Sequence, residues 1–116
     1  MRTYEVKTEN AVLAPGARLA DSFFTRLRGL MFRRELADGE ALLLKNCSAI
    51  HCCFMRFTID VVYLDDLLNV IGVETVRPWQ TGGRYKGTRH VLELRENACS
   101  GIYPGMRLAI KECAGL

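Results

Sequence analysis

The sequence predicts an α+β fold: a single compact, β-rich domain spanning residues 1–116, with a sheet or open-barrel-like core and one main helix near residues 22–31. Three observations carry this. Only one stretch has helical apolar spacing, at least five runs are strand-like in their branched and aromatic content, and turn residues separate those runs. At 116 residues, a single core burying roughly 65% of the unfolded surface is enough.

Thr3–Lys7 alternates as an edge strand does. Pro15-Gly16 breaks residues 11–19 with a turn dipeptide, which predicts a hairpin-like feature there. Asp21 and Ser22 are N-cap residues ahead of Phe23, Phe24, Leu27, Leu30 and Met31, whose spacing draws one apolar stripe. Gly29 marks the end or a kink of that helix. Residues 41–45, 59–65, 69–76, 90–94 and 107–112 are strand-like. Val61, Val62, Tyr63 and Leu64 show no polar alternation, so their strand is covered on both faces and central to the sheet. Gly72 marks a bulge in the next strand. Pro78, Trp79, Gly82 and Gly83 place a surface loop over residues 77–86, and residues 98–105 form a short turn region.

Hydrophobic residues at 49% and charged residues at 25% match a globular protein and argue against disorder or repeat architecture. No apolar run approaches the ~18 residues of a membrane span, and the first residues lack a signal peptide's apolar centre. Cytoplasmic location is the expectation, with no membrane association. Five cysteines, Cys47, Cys52, Cys53, Cys99 and Cys113, are an odd number and are expected to be reduced. The net charge is +3, yet 12 of the 16 basic residues are arginine, the side chain suited to carboxylates and phosphates, which hints at an anionic partner.

The most informative run is residues 47–65, where His51 is followed by Met55-Arg56-Phe57, then Ile59-Asp60, an apolar strand and Asp65. This run resembles the central motif of the domain of unknown function 192 family. Arg28-Gly29-Leu30-Met31 resembles that family's N-terminal signature, and Val91-Leu92-Glu93-Leu94 its later strand. Thr58, Cys52 and Met106 depart from the usual proline, threonine and acidic residue. The resemblance covers nearly the whole chain and implies a fold and a candidate site, but not a reaction.

Physically, residues 47–60 offer three chemistries. A metal site would draw on Cys47, His51, Cys52 and Cys53, but in an extended strand His51 and Cys53 share one face, about 6.6 Å apart, while Cys52 faces the other way. No metal and no cofactor are therefore expected. A catalytic reading uses His51 and Asp60 in a hydrolase-like arrangement, although no nucleophile signature surrounds the vicinal Cys52 and Cys53. The third is an Arg56–Asp60 ion pair or anion site. Full extension would put these residues about 13 Å apart, whereas a turn at Phe57-Thr58 would bring them together.

The preferred expectation is a non-catalytic binding or accessory module. Its site would be lined by His51, Arg56, Asp60 and Trp79 and would take a small anionic or sugar-like ligand, or a segment of a protein partner. The hydrolase is the alternative. A weak nucleic-acid binder is a further one, disfavoured because no basic stripe with interleaved aromatics stands out.

Overall fold

In the computed structural model, residues 3–20, 40–47 and 57–113 are described. They build one seven-stranded sheet: β1 (Thr3–Lys7), β2 (Val12–Ala20), β3 (Glu40–Leu44), β4 (Ile59–Leu64), β5 (Val70–Val76), β6 (His90–Arg95) and β7 (Ala109–Glu112). The order across the sheet is β5-β4-β6-β3-β2-β1-β7. Only β2 and β3 pair in parallel. No helix occurs among the described residues, and the helix expected near residues 22–31 lies outside them. The β-rich part of the fold class holds.

The sheet curls toward closure. Ahead of β7, Leu108 N–H donates to Leu68 O (3.0 Å), and Val70 N–H donates to Met106 O (2.7 Å). One edge of the sheet is thus stitched to the start of the opposite edge strand, close to the open-barrel expectation. The inner face packs Val6, Ala14, Leu43, Val62, Leu92 and Leu108 into the main core. On the outer face, a second cluster of Leu44, Ile59, Val61, Tyr63, Val76 and Val91 is also buried.

β4 is therefore buried at every position, in keeping with the unbroken apolar run Val61–Leu64 within it. It stands second in the order, flanked by β5 and β6, rather than at the sheet's centre. Strand bounds elsewhere match the apolar runs within a residue or two.

Pro15-Gly16 is not a hairpin turn. β2 runs straight through it, and the register between Tyr4↔Ala17 and Val6↔Ala14 gains one residue there. Proline has no N–H to give a ladder, and a bulge is the place where an interior strand tolerates that loss. The true β1–β2 turn is at residues 8–11, where Thr8 N–H donates to Ala11 O and Thr8 Oγ1 accepts from the N–H groups of Asn10 and Ala11. A threonine hydroxyl does this job without glycine or proline, so the local signal was easy to miss.

Gly72 does adjoin a bulge: it pairs with Tyr63 while Val70 pairs with Leu64, leaving Ile71 extra. The Tyr85 ring lies over Gly72 and against Tyr63, with ring centroids 4.3 Å apart. A methyl group at position 72 would collide with that ring. Gly72→Ala is expected to cost about 1–3 kcal/mol, as overpacking of a fitted contact does, read as a lower denaturant midpoint.

The β4–β5 turn is tied by Asp65. Its Oδ1 accepts from the N–H groups of Leu67 (2.9 Å) and Asn69 (2.8 Å), and its Oδ2 from the Asn69 side-chain amide (3.0 Å). The Asn69 amide and these N–H groups hold the Asp65 carboxyl below its ordinary value. A lowered acid binds fewer protons folded than unfolded, so its stabilisation is complete above the unfolded value and is lost as pH falls through the folded one. Asp65→Ala should flatten the acid limb of a melting-temperature profile below about pH 4.

Candidate functional site

Ile59 pairs with both Val76 and Arg95, so residues 57–58, the turn after β5 and the turns after β6 share one end of the sheet. Two of the four sequence-derived site residues, Asp60 and Trp79, belong to this end. His51 and Arg56 lie outside the described residues, as do Cys52 and Cys53.

Asp60 points to the inner face and is 5% exposed. Its Oδ1 accepts from Thr75 Oγ1 (2.9 Å) and its Oδ2 from the Cys99 N–H (3.1 Å). It thereby joins β4 to β5 and to the turn after β6, with both carboxylate oxygens engaged. Burial, aided by the Asp60 charge, pushes the Cys99 thiol up to about 12, so this cysteine stays a thiol and is no nucleophile. Trp79 sits in the turn after Val76 with φ 67°, a left-handed conformation rare for a bulky residue. That turn is closed by Gln80 N–H donating to Arg77 O and by Arg77 N–H donating to Gln80 Oε1. Trp79 is 64% exposed.

The residue that sequence reasoning missed is Glu93. In Val91-Leu92-Glu93-Leu94 the even positions face the inner core, so Val91 and Glu93 face outward, level with Val61 on β4 and Leu42 on β3. That outer face is buried and apolar, and Glu93 is 5% exposed within it. Its Oε2 has no hydrogen-bond partner among the described residues. Burial pushes its carboxyl up to about 8, so at neutral pH it is a neutral acid, able to donate and to accept one bond. A glutamate between two leucines in the otherwise apolar run Val91–Leu94 was the signal available in the sequence.

Beside it the outer face is crossed by residues 77–89. β5 and β6 are both antiparallel to β4, so their connection must return along the length of β4. Glu74 Oε2 anchors it, accepting from Tyr63 Oη (2.8 Å) and from the Gly83 N–H (2.7 Å). Burial, and then the Glu74 carboxylate, raise the Tyr85 phenol above its ordinary value. At the far end Asn46 N–H donates to His90 Nδ1 (3.0 Å), and burial with Arg89 and Lys45 nearby lowers His90, leaving it neutral.

An open cleft of about 400 Å³ lies elsewhere, between the β1–β2 turn and residues 98–106, walled by Val12, Leu13, Ile102 and Met106. No ionisable side chain other than Tyr103 lines it, so it offers no convergent polar chemistry. Among the described residues no three His, Cys, Asp or Glu side chains converge as metal ligands, and no helix is long and apolar enough to cross a membrane.

The curled, seven-stranded sheet places this chain in a class of small β-rich domain already seen in crystals. A protein of unknown function from Novosphingobium aromaticivorans superposes with TM-score 0.76 at 20% identity, covering 92% of this chain and 83% of that one. A proposed transcription regulator from Sinorhizobium meliloti gives 0.77 at 20% identity, covering 93% and 92%. At that identity the likeness is one of fold.

The chain belongs to the DUF192 family (Uncharacterized ACR), whose profile matches residues 4–110. It is 31% identical over 91 residues to a UPF0127 protein of Thermococcus sibiricus, covering 75% of this chain and 59% of that relative. It is 35% identical over 79 residues to a UPF0127 protein of Pyrococcus horikoshii, covering 66% and 69%. The chain thus spans about three fifths of the first relative's length. These names assign no activity, and the biochemical function of the family is unknown.

Proposed function

We propose that this domain is a non-catalytic binding module for a small sugar-like or anionic ligand. Its site would be the end of the sheet where Trp79 and the buried outer face around Glu93 meet the chain arriving from His51 and Arg56. The unpartnered Oε2 of Glu93 carries this reading. A buried acid without a partner costs about 1–3 kcal/mol, and a ligand hydroxyl or carboxylate accepting its proton or donating to its oxygen would recover that cost. Trp79 supplies an aromatic wall, and Arg56 the charge for an anion.

Binding is favoured over hydrolysis by Asp60. A general base must be free to accept a proton, and its two oxygens are already hydrogen-bonded within the fold. A helix over residues 22–31, completing an α+β domain, and a cytoplasmic location accompany this reading.

The test is a thermal-shift screen of sugars, polyols and small carboxylates and phosphates at pH 6.5, repeated on folded Glu93→Gln, His51→Ala and Arg56→Gln variants. A ligand at a hundred times its Kd raises stability by about 2.7 kcal/mol. The expected hit stabilises the wild type and loses most of its effect in Glu93→Gln. A hit indifferent to all three substitutions places the site elsewhere.

A further inference from the structure

Among the described residues, the segment 77–89 concentrates the positive charge. Arg77, Arg84, Lys86 and Arg89 give it +4 without a single carboxylate, against +3 for the chain, so all other residues together sum to −1. All four side chains are exposed. The ion pairs Lys7–Glu5 and Arg18–Glu40 lie elsewhere on the sheet, and none of the four forms an ion pair with a described carboxylate. The carboxylates nearest the segment are committed or peripheral: Glu74 to Tyr63 and Gly83, and Asp65 to its own turn, with Asp66 near His90.

These cations are not gathered at a point. The segment leaves β5 opposite Ile59 and enters β6 opposite Leu64, so it runs the length of β4, about 17 Å. It is pinned midway by the Glu74–Gly83 bond and the Tyr85–Tyr63 stack, which makes it a strap laid across the sheet. Trp79, the only tryptophan of the chain, stands near its start with most of its surface in solvent. Exposed cations distributed along a path of this length, with a large exposed aromatic face, suit a flexible anionic chain whose bases can stack.

We propose that the strap is a docking surface for single-stranded nucleic acid. Duplex DNA is a poorer fit, because the strap has neither helix nor projecting hairpin to enter a groove. An acidic peptide would use the cations but gains little from the exposed indole. An anionic membrane favours a denser cluster of basic residues than one separated by seven, two and three positions. This inference shares Trp79 with the small-ligand site but otherwise uses the solvent face of the strap and not Glu93.

The probe is a 12-mer of deoxythymidylate titrated into the full chain while the fluorescence of Trp79 is followed, in steps of salt from about 50 to 300 mM. Stacking on the single indole should quench it. With four phosphates neutralised on a single strand, the slope of log K against log salt should be about −2.8. Arg84→Gln/Lys86→Gln/Arg89→Gln, which leaves the sheet untouched, should reduce that slope to about −0.7. Trp79→Ala, followed with a dye-labelled oligomer, should weaken binding about tenfold at an unchanged slope. Absence of quenching at 50 mM salt overturns the proposal. So does equal affinity for polyglutamate or for phosphatidylserine vesicles, which would identify a generic anion surface or a membrane surface instead.

Discussion

Val62→Asp is expected to abolish soluble folded protein. Val62 is 0% exposed, packed on the inner face of β4 between Val73 of β5 and Leu92 of β6. A carboxylate there has no partner within the apolar cluster, and burying it uncompensated costs several kcal/mol even if it is protonated. A domain of this size has about 5–15 kcal/mol of stability in total, so the substitution consumes much or all of it. Val62→Thr keeps the shape and adds one hydroxyl, at about 1–3 kcal/mol, and should remain folded with a lower melting temperature. Expression, circular dichroism and thermal melts of the pair check this. Folded Val62→Asp protein with an unchanged melting temperature would contradict the placement of β4 in the core.

The second large effect is Asp60→Ala. The substitution removes the acceptor of the Thr75 hydroxyl and strands the buried Cys99 N–H, two losses that together cost about 3 kcal/mol. For a chain of this length that is a fall of about 10–15 °C in melting temperature. Asp60→Asn keeps one carbonyl oxygen and should lose about a third as much. A catalytic or ligand-binding aspartate without a structural role would leave the melting temperature nearly unchanged when truncated, so this comparison separates the fold's use of Asp60 from the site reading drawn from its nearness in sequence to His51 and Arg56.

These two residues also show how much was legible beforehand. The strand at Ile59–Leu64 could be read because the four consecutive residues Val61, Val62, Tyr63 and Leu64 leave no polar face for water, and the structure buries all six positions of the strand. Asp60 stood out as an ionisable group next to an apolar strand, but its partners come from Thr75 and from Cys99, 15 and 39 residues away. No local pattern announces a bond of that kind. Pro15-Gly16 misled because a turn dipeptide and a bulge in an interior strand use the same two residues; only the pairing with Tyr4 and Val6 tells them apart. The strap's charge was hidden for a related reason. Its four cations are scattered over thirteen residues of sequence, and they are strung along the sheet only once β5 and β6 are known to flank β4, each antiparallel to it.

Glu93 is the point on which the functional account turns. Its apolar neighbours are strand residues fixed by the ladder, so its burial follows from the register Glu93↔Val61 and Glu93↔Leu42. A carboxyl raised to about 8 folded and titrating near 4.5 unfolded binds more protons in the native state. Its contribution is therefore complete below pH 4.5 and is lost as pH rises through 8. Glu93→Gln should remove this alkaline loss.

The direct measurement is a titration of carboxyl-labelled glutamates by carbon-13 NMR between pH 4 and 10, with Glu93→Gln used to assign the resonance. The account predicts one glutamate carboxyl with a midpoint near 8, whose shift at pH 7 moves when the ligand from the thermal screen is added. A Glu93 midpoint near 4.5, indifferent to ligand, would mean that the carboxyl is solvated or paired, and the site proposed around it would have no anchor.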